Sequence, residues 1–274
     1  MSAPTMSANP VTRADVPSVW RQMAALVRVE LLLLKRNMMA TMMSVVTPLG
    51  LGVLLVSGDY DTEGGVTRVA GVLGMIAVFC IHHHLATAYA ARRQEMVLKR
   101  MRAGIPGDGT ILVGVASATI IVFLVQAVLL IAYGMLVHDL PLPANPLTML
   151  LAMLLGAAVL AAFGAVISAV TRSSEAAMLT TMPTMIIFLM APGVLLPLGS
   201  LPPVLENIAM ALPMGPFTEV LRVGWLGHEL GGGAPMSFAE TTVAALPWLL
   251  ELAAWLAVSA WLTKRYFKWE PRHG

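Results

Sequence analysis

Five cations sit within eleven positions at Arg92, Arg93, Lys99, Arg100 and Arg102, in the run ARRQEMVLKRMRAGIP that begins at Ala91. Guanidinium and ammonium groups at this density can seat on an acidic surface or hold a phosphate. They cannot by themselves cut a bond. Nucleotide hydrolysis is a separate matter, and it fails on two counts. The nearest approach to a phosphate loop, Gly104 to Gly109, is followed by Thr110 where a lysine must stand, and no strand precedes it.

Other reactive types are few. His82, His83 and His84 are consecutive, so on a regular helix they point about 100° apart and cannot share one ion without unwinding. They line a polar cavity or pack between helices. Cys80 is the only cysteine, and no disulfide can form within the chain. No Ser/His pair, paired aspartates or HExxH arrangement marks a protease. Glu251, beside Pro247 and Trp248, is the one carboxylate inside an apolar stretch. Ionisable groups there are costly, and both a transport role and simple solvation near the interface fit it. Met178, Met182, Met185 and Met190 recur with Phe188 around Pro183 and Pro192. Flexible thioethers accept varied apolar partners, and lipid-facing filler is the plain alternative.

The elements that hold these groups are membrane helices. Of 274 residues, 58% are hydrophobic and 12% charged, against about a quarter charged in a soluble domain. Mean hydropathy is +0.80. The first fifteen residues read as a polar tail with no signal-peptide core. Residues 16–36 place Trp20, Met23, Val27 and Leu31 at helical spacing, with Arg21, Arg28, Lys35 and Arg36 between them. This predicts an amphipathic helix on the membrane surface, with Pro17 in its first turn and Asp15 or Ser18 as cap.

Six spans are expected, at 38–56, 69–91, 111–137, 147–170, 177–198 and 242–263, since about twenty apolar residues cross a bilayer. Between them lie a basic loop at 92–110, an outer segment at 201–227 and a basic tail at 264–274. The outer segment holds two apolar pieces too short to span, which are expected to form short re-entrant helices that dip into the outer leaflet and return. Glu206, Glu219 and Arg222 lie on it, and Glu219 and Arg222 can pair at i, i+3. With both termini inside, only Arg68 and Arg222 of the 17 Lys and Arg fall outside, which leaves fifteen inside. That asymmetry fixes the orientation. The fold class is all-α and polytopic.

In order along the chain, the basic amphipathic helix, the RRQEMVLKRMRAGIP loop, the TRSSEAA turn and the run APGVLLPLGSLPPVLENIAMALPMGPFTEVLR resemble the membrane subunit of a type-2 ABC exporter. The likeness is nearest to bacterial drug- and antibiotic-resistance permeases and covers about residues 17–265. The family's loop pattern is RExGTLxRLRxTP. Here Met96-Val97 replaces the Gly-Thr, and Pro106 comes one place later than the family's proline. Pro213 or Pro216 ahead of Leu221-Arg222 resembles a later family pattern.

The resemblance implies a non-catalytic permease of a bacterial cell membrane. Its partners would be a second permease chain, membrane lipids and two ATP-binding subunits that carry ATP and Mg. No nucleic-acid partner and no metal of its own are expected. Arg92, Arg93, Glu95, Leu98, Lys99, Arg100, Arg102, Ile105 and Pro106 would form a coupling helix in the ATPase cleft. Trp20, Arg21, Arg28, Lys35 and Arg36 would brace it. A hydrophobic drug or small amphiphile would pass near His83, Met178, Met182, Met185, Phe188 and Met190. Glu206, Glu219, Arg222 and Glu251 would form an outer gate. Export of a lipid or lipid-linked glycan, or a non-transporting membrane immunity or anchor protein, are the rival readings.

Overall fold

Side-chain caps set where the helices begin. The computed structural model describes residues 17–104, 106–190, 201–229 and 231–270. The expected N-terminal tail, Ile105, Pro192, Pro197 and Arg272 lie outside them. Helix α1 (Val19–Arg36) is capped by Ser18, whose hydroxyl accepts from the Arg21 N–H. Pro17 therefore stands before the cap rather than inside the first turn. Asn37 then leaves the helical region, and its side chain accepts from the Ala40 N–H at 3.1 Å. One residue thus ends α1 and opens α2 (Met38–Val56).

Helix α3 (Thr62–Gln94) starts seven residues before the expected 69. Asp61 accepts from the Gly64 N–H at 2.9 Å and caps a polar first turn that hydropathy alone does not see. A short helix α4 (Val97–Arg102) follows in the basic loop, then α5 (Asp108–Val137) and α6 (Pro146–Val170). Asn145 caps α6 and also donates to Phe238 O and Thr242 Oγ1, which fastens the start of α6 to the start of the last helix. That last helix, α11 (Phe238–Tyr266), opens with a reciprocal capping box between Ser237 and Glu240.

The expected fifth span is not one helix among the described residues. It is α7 (Ser174–Thr180) and α8 (Met182–Leu189), which part at Thr181, where Pro183 enters the next turn without an N–H to donate. Its outer end, 191–200, is not described. Among the described residues, five helices are long and apolar enough to cross a membrane: α2, α3, α5, α6 and α11. No strand occurs among the described residues.

Helix α3 is the hub. Its apolar window is 78% buried, against 22% for both α2 and α11. Among the described residues, two helices also carry a wide π-helical turn, Met42–Val46 in α2 and Val78–His83 in α3. Such turns often mark functional sites. The two meet, and Gln126 of α5 reaches in between them. Its amide donates to Ser44 O at 3.2 Å and to Cys80 Sγ at 3.4 Å.

Short helices α9 (Pro203–Met210) and α10 (Met214–Leu226) enter from the end of the bundle that holds Asn145. Phe217 packs against Gly156, ten residues into α6. At ~1.5 Å per residue, α10 therefore reaches roughly 15 Å into the bundle. Gly215 permits the sharp α9–α10 turn, because a Cβ there would fall 2.0 Å from the Met210 carbonyl oxygen.

Candidate functional site

The basic cluster is the first candidate, and all five of its cations have partners inside the chain. Arg92 ion-pairs with Glu30 of α1. Arg93 is buried and donates to the Thr171 carbonyl in the α6–α7 turn. Lys99 meets Glu270 at 3.0 Å. Arg100 donates to the Glu95 carbonyl at 3.0 Å. Arg102 meets Asp108 at 3.1 Å, and its guanidinium also lies over the Trp269 indole, 5.3 Å from the ring centre.

This corrects part of the expectation for the loop. Arg93 and Leu98 are buried, so they do not offer their side chains to a partner. They anchor the loop from beneath. Lys99, Arg100 and Arg102 remain on its exposed face, with Pro106 half-buried at its end. Gln94 Oε1 adds a second tie by accepting from the Ser174 N–H at 3.1 Å. Short α4 is thus held by α3, by the start of α5 through Arg102–Asp108 and by the C-terminal residues through Lys99–Glu270, while the α6–α7 turn ties the end of α3 that leads into it.

Met96 precedes α4 with φ 58° and ψ 15°, the left-handed region. Here a side chain replaces the glycine of the family pattern, and glycine is the residue that adopts this conformation without strain.

The amphipathic helix α1 brackets the same end. No residue of α1 is buried, and Trp20 is 79% exposed. Leu26 lies over Gly114 of α5, where a Cβ would come within 2.7 Å of it. Glu30 is the one acid among the cations of α1, and it is the group that Arg92 uses.

Beside this platform opens a cavity of about 970 Å³ between α1, α2, α3 and α7. Met38, Met39, Met43, Phe79, His83 and Met178 supply its soft and aromatic walls, and Glu95 and Glu175 stand among its acids. Glu175 is fully exposed at the start of α7. Its own backbone N–H, then the Ser173 and Ser174 hydroxyls, hold its carboxyl below the usual glutamate range. A smaller void of about 20 Å³, lined by Glu30, Ser44, Cys80, His84 and Thr119, has the size of one water.

The structure divides the expected passage residues. His83 and Met178 line the cavity, and His83 Nδ1 lies 2.9 Å from Thr181 Oγ1. Met182 is exposed, and Met190 is half-buried at the end of α8. Met185 and Phe188 are turned inward instead. They sit three apart on the buried face of α8, and Phe188 meets His82 and Phe163 edge-on at 5.3 and 5.5 Å. They belong to the protomer's own core. His82 Nε2 joins Thr184 Oγ1 at 2.8 Å, so His82 and His83 both face the α7–α8 pair while His84 turns toward α1. No group of three metal-ligating side chains gathers among the described residues.

At the far end, Glu219 and Arg222 pair at 2.7 Å with Arg222 only 1% exposed. Glu206 is half-buried on α9. Glu63 faces this region, 3.8 Å from His228. Glu251 is half-buried on α11 but not beside the helix end. The helix begins at Phe238, which places Glu251 thirteen residues in, about 20 Å along the axis.

Four residues that tie the platform and the wide turns together escaped sequence reasoning. Glu30 was visible as a lone acid on a basic helix, and Gln126 as a lone amide in a thirty-residue apolar helix. Trp269 and Glu270 gave no signal beyond a basic tail.

Long apolar helices around a buried central one, with a charged platform at one end and short helices entering from the other, define a multi-pass α-helical membrane protein. The family model described as ABC-2 type transporter matches residues 21–226. The chain belongs to that family and is a permease subunit, the transmembrane component of such a transporter. No curated protein matches the chain. Membership implies association with an ATP-binding subunit and with membrane lipids.

Proposed function

We propose that this permease exports a hydrophobic drug or small amphiphilic natural product, driven by ATP hydrolysis on separate subunits. Two copies of the chain, or this chain and a paralogue, form the membrane core with two ATP-binding subunits. The basic platform lies in the cytoplasm of a bacterial cell, which puts both termini there, in line with the charge asymmetry. Helix α4 seats in an ATPase cleft, and α1 braces it through Glu30–Arg92. Closure of the ATPases moves this platform and switches the cavity from one side of the membrane to the other.

The observation that carries the reading is the cavity. It opens beside the platform, and its size falls in the range of small-molecule sites, about 300–1,000 Å³. Methionine and phenylalanine walls suit apolar cargo of varied shape.

An adjacent reading frame for an ATPase with a Walker A motif identifies the partner. With that partner, membrane vesicles are to be assayed for drug-stimulated ATP hydrolysis and drug uptake. Replacing Lys99, Arg100 and Arg102 together with glutamate should abolish both. Intact assembly and intact stimulation in that variant would overturn the coupling role. Stimulation by lipid-linked glycan but by no drug would overturn the cargo.

A further inference from the structure

The C-terminal residues 267–270 lie across the coupling platform. Their side chains alternate between the core and solvent. Phe267 and Trp269 are half-buried and packed on the core, while Lys268 and Glu270 are exposed. Phe267 meets Tyr89 of α3 edge-on at 5.7 Å and Trp269 at 5.1 Å. From this anchor the tip reaches α4. Trp269 lies under the Arg102 guanidinium, and the Glu270 carboxylate meets Lys99 Nζ at 3.0 Å.

Lys99 and Arg102 are two of the three cations on the exposed face of α4. We propose that residues 269–270 form a displaceable clasp on the docking surface, with Glu270 standing in for a carboxylate of the ATP-binding subunit. The inference rests on the coupling role of α4 given above and adds the means by which its access is controlled.

Charge decides what kind of partner fits. A face that holds Glu270 on Lys99, and an indole on Arg102, is complementary to an acidic cleft carrying an aromatic side chain. Strength decides that the clasp opens. Both members of the Lys99–Glu270 pair are more than half exposed, at 52% and 62%. Exposed ion pairs and exposed cation–π contacts are weak and easily exchanged. Phe267 is the fixed part, because its ring is packed on Tyr89 rather than held by charge. An arriving acidic surface can therefore take Lys99 and Arg102 without unfolding the segment.

The test measures association of the purified ATP-binding subunit with the full-length permease in lipid nanodiscs. Glu270→Gln should tighten association roughly two- to fivefold, the range for losing one exposed competing pair. In a second arm, Lys99→Cys with Glu270→Cys is joined by a short, reducible bifunctional thiol reagent. Cys80 is buried and is the only native cysteine. Joined protein should fail to bind, and reduction should return binding to that of the same double variant never joined. Unchanged or weaker association for Glu270→Gln overturns the clasp, and so does full binding by the joined protein. The triple glutamate variant of Lys99, Arg100 and Arg102 separates the two ideas. If it binds as the native chain does, the coupling role itself fails. If it loses binding while Glu270→Gln changes nothing, only the clasp fails.

Discussion

Arg93 donates from Nη2 to the carbonyl oxygen of Thr171, 78 positions further along the chain. This contact ties the end of α3 to the turn between α6 and α7. It makes the charged loop part of a buried joint rather than a free lever. Arg93 is 2% exposed, so its loss leaves a carbonyl with no water to replace the donor. Arg93→Ala should cost about 2–3 kcal/mol, the range for a hydrogen bond to a charged group with a buried partner. Lys99→Ala, by contrast, should cost under about 1 kcal/mol, because the Lys99–Glu270 pair is exposed. Thermal unfolding of both variants in one detergent checks the ordering. Equal shifts would show that Arg93 does not brace the joint.

Met96 holds a left-handed conformation with φ 58° at the entry to α4. A β-carbon there costs roughly 1–2 kcal/mol. Glycine removes that cost but adds unfolded-state entropy of about 0.5–1 kcal/mol. Met96→Gly should therefore stabilise by no more than about 1.5 kcal/mol, and Met96→Val should destabilise, since a branched side chain suits this region least. Melting temperatures of the two variants should move in opposite directions.

These two residues show what sequence reasoning could and could not reach. Hydropathy found the long helices but began α3 seven residues late, because apolar length is a local property that a polar, side-chain-capped first turn does not share. The resemblance marked position 96 as a departure, and the backbone explains why a glycine fits there. The partners of Arg92, Arg93 and Lys99 are 62, 78 and 171 positions away, and no periodicity encodes such pairings. The π turns are equally silent. Neither Met42–Val46 nor Val78–His83 contains a proline or glycine. The break between α7 and α8 was half legible, since Pro183 announced a bend but not the end of a helix.

Gln126 tests whether the π turns matter to transport more than to stability. Its amide bonds Ser44 O and Cys80 Sγ, but its Oε1 has no partner among the described residues. Leucine would lose the two contacts and also remove the unsatisfied oxygen. Hydrogen bonds between membrane helices average only about 0.6 kcal/mol. Gln126→Leu should therefore shift stability by less than about 1 kcal/mol. Transport should fall several-fold, because α2 and α3 lose the group that holds their wide turns in register. Transport equal to the native rate, measured with the proposed partner subunit, would make Gln126 a packing residue only.

Gly164 offers the sharpest test of the packing around α3. A Cβ at this position on α6 would lie 2.9 Å from the His82 carbonyl oxygen and 3.3 Å from Leu85 Cβ. The first obstacle is backbone, which cannot swing aside as a side chain does. His82 itself is also held by Thr184 Oγ1, so α3 has little freedom to withdraw. Gly164→Ala should thus cost about 1–3 kcal/mol, the usual range for overpacking, and Gly164→Leu more. Gly50 is the control, because a Cβ there meets nothing within 4 Å. Gly50→Ala sits within α2 and should be neutral or stabilising by up to about 1 kcal/mol through helix propensity. Opposite signs for the two alanine variants, read from unfolding in the same detergent, would establish that α6 and α3 touch at their backbones.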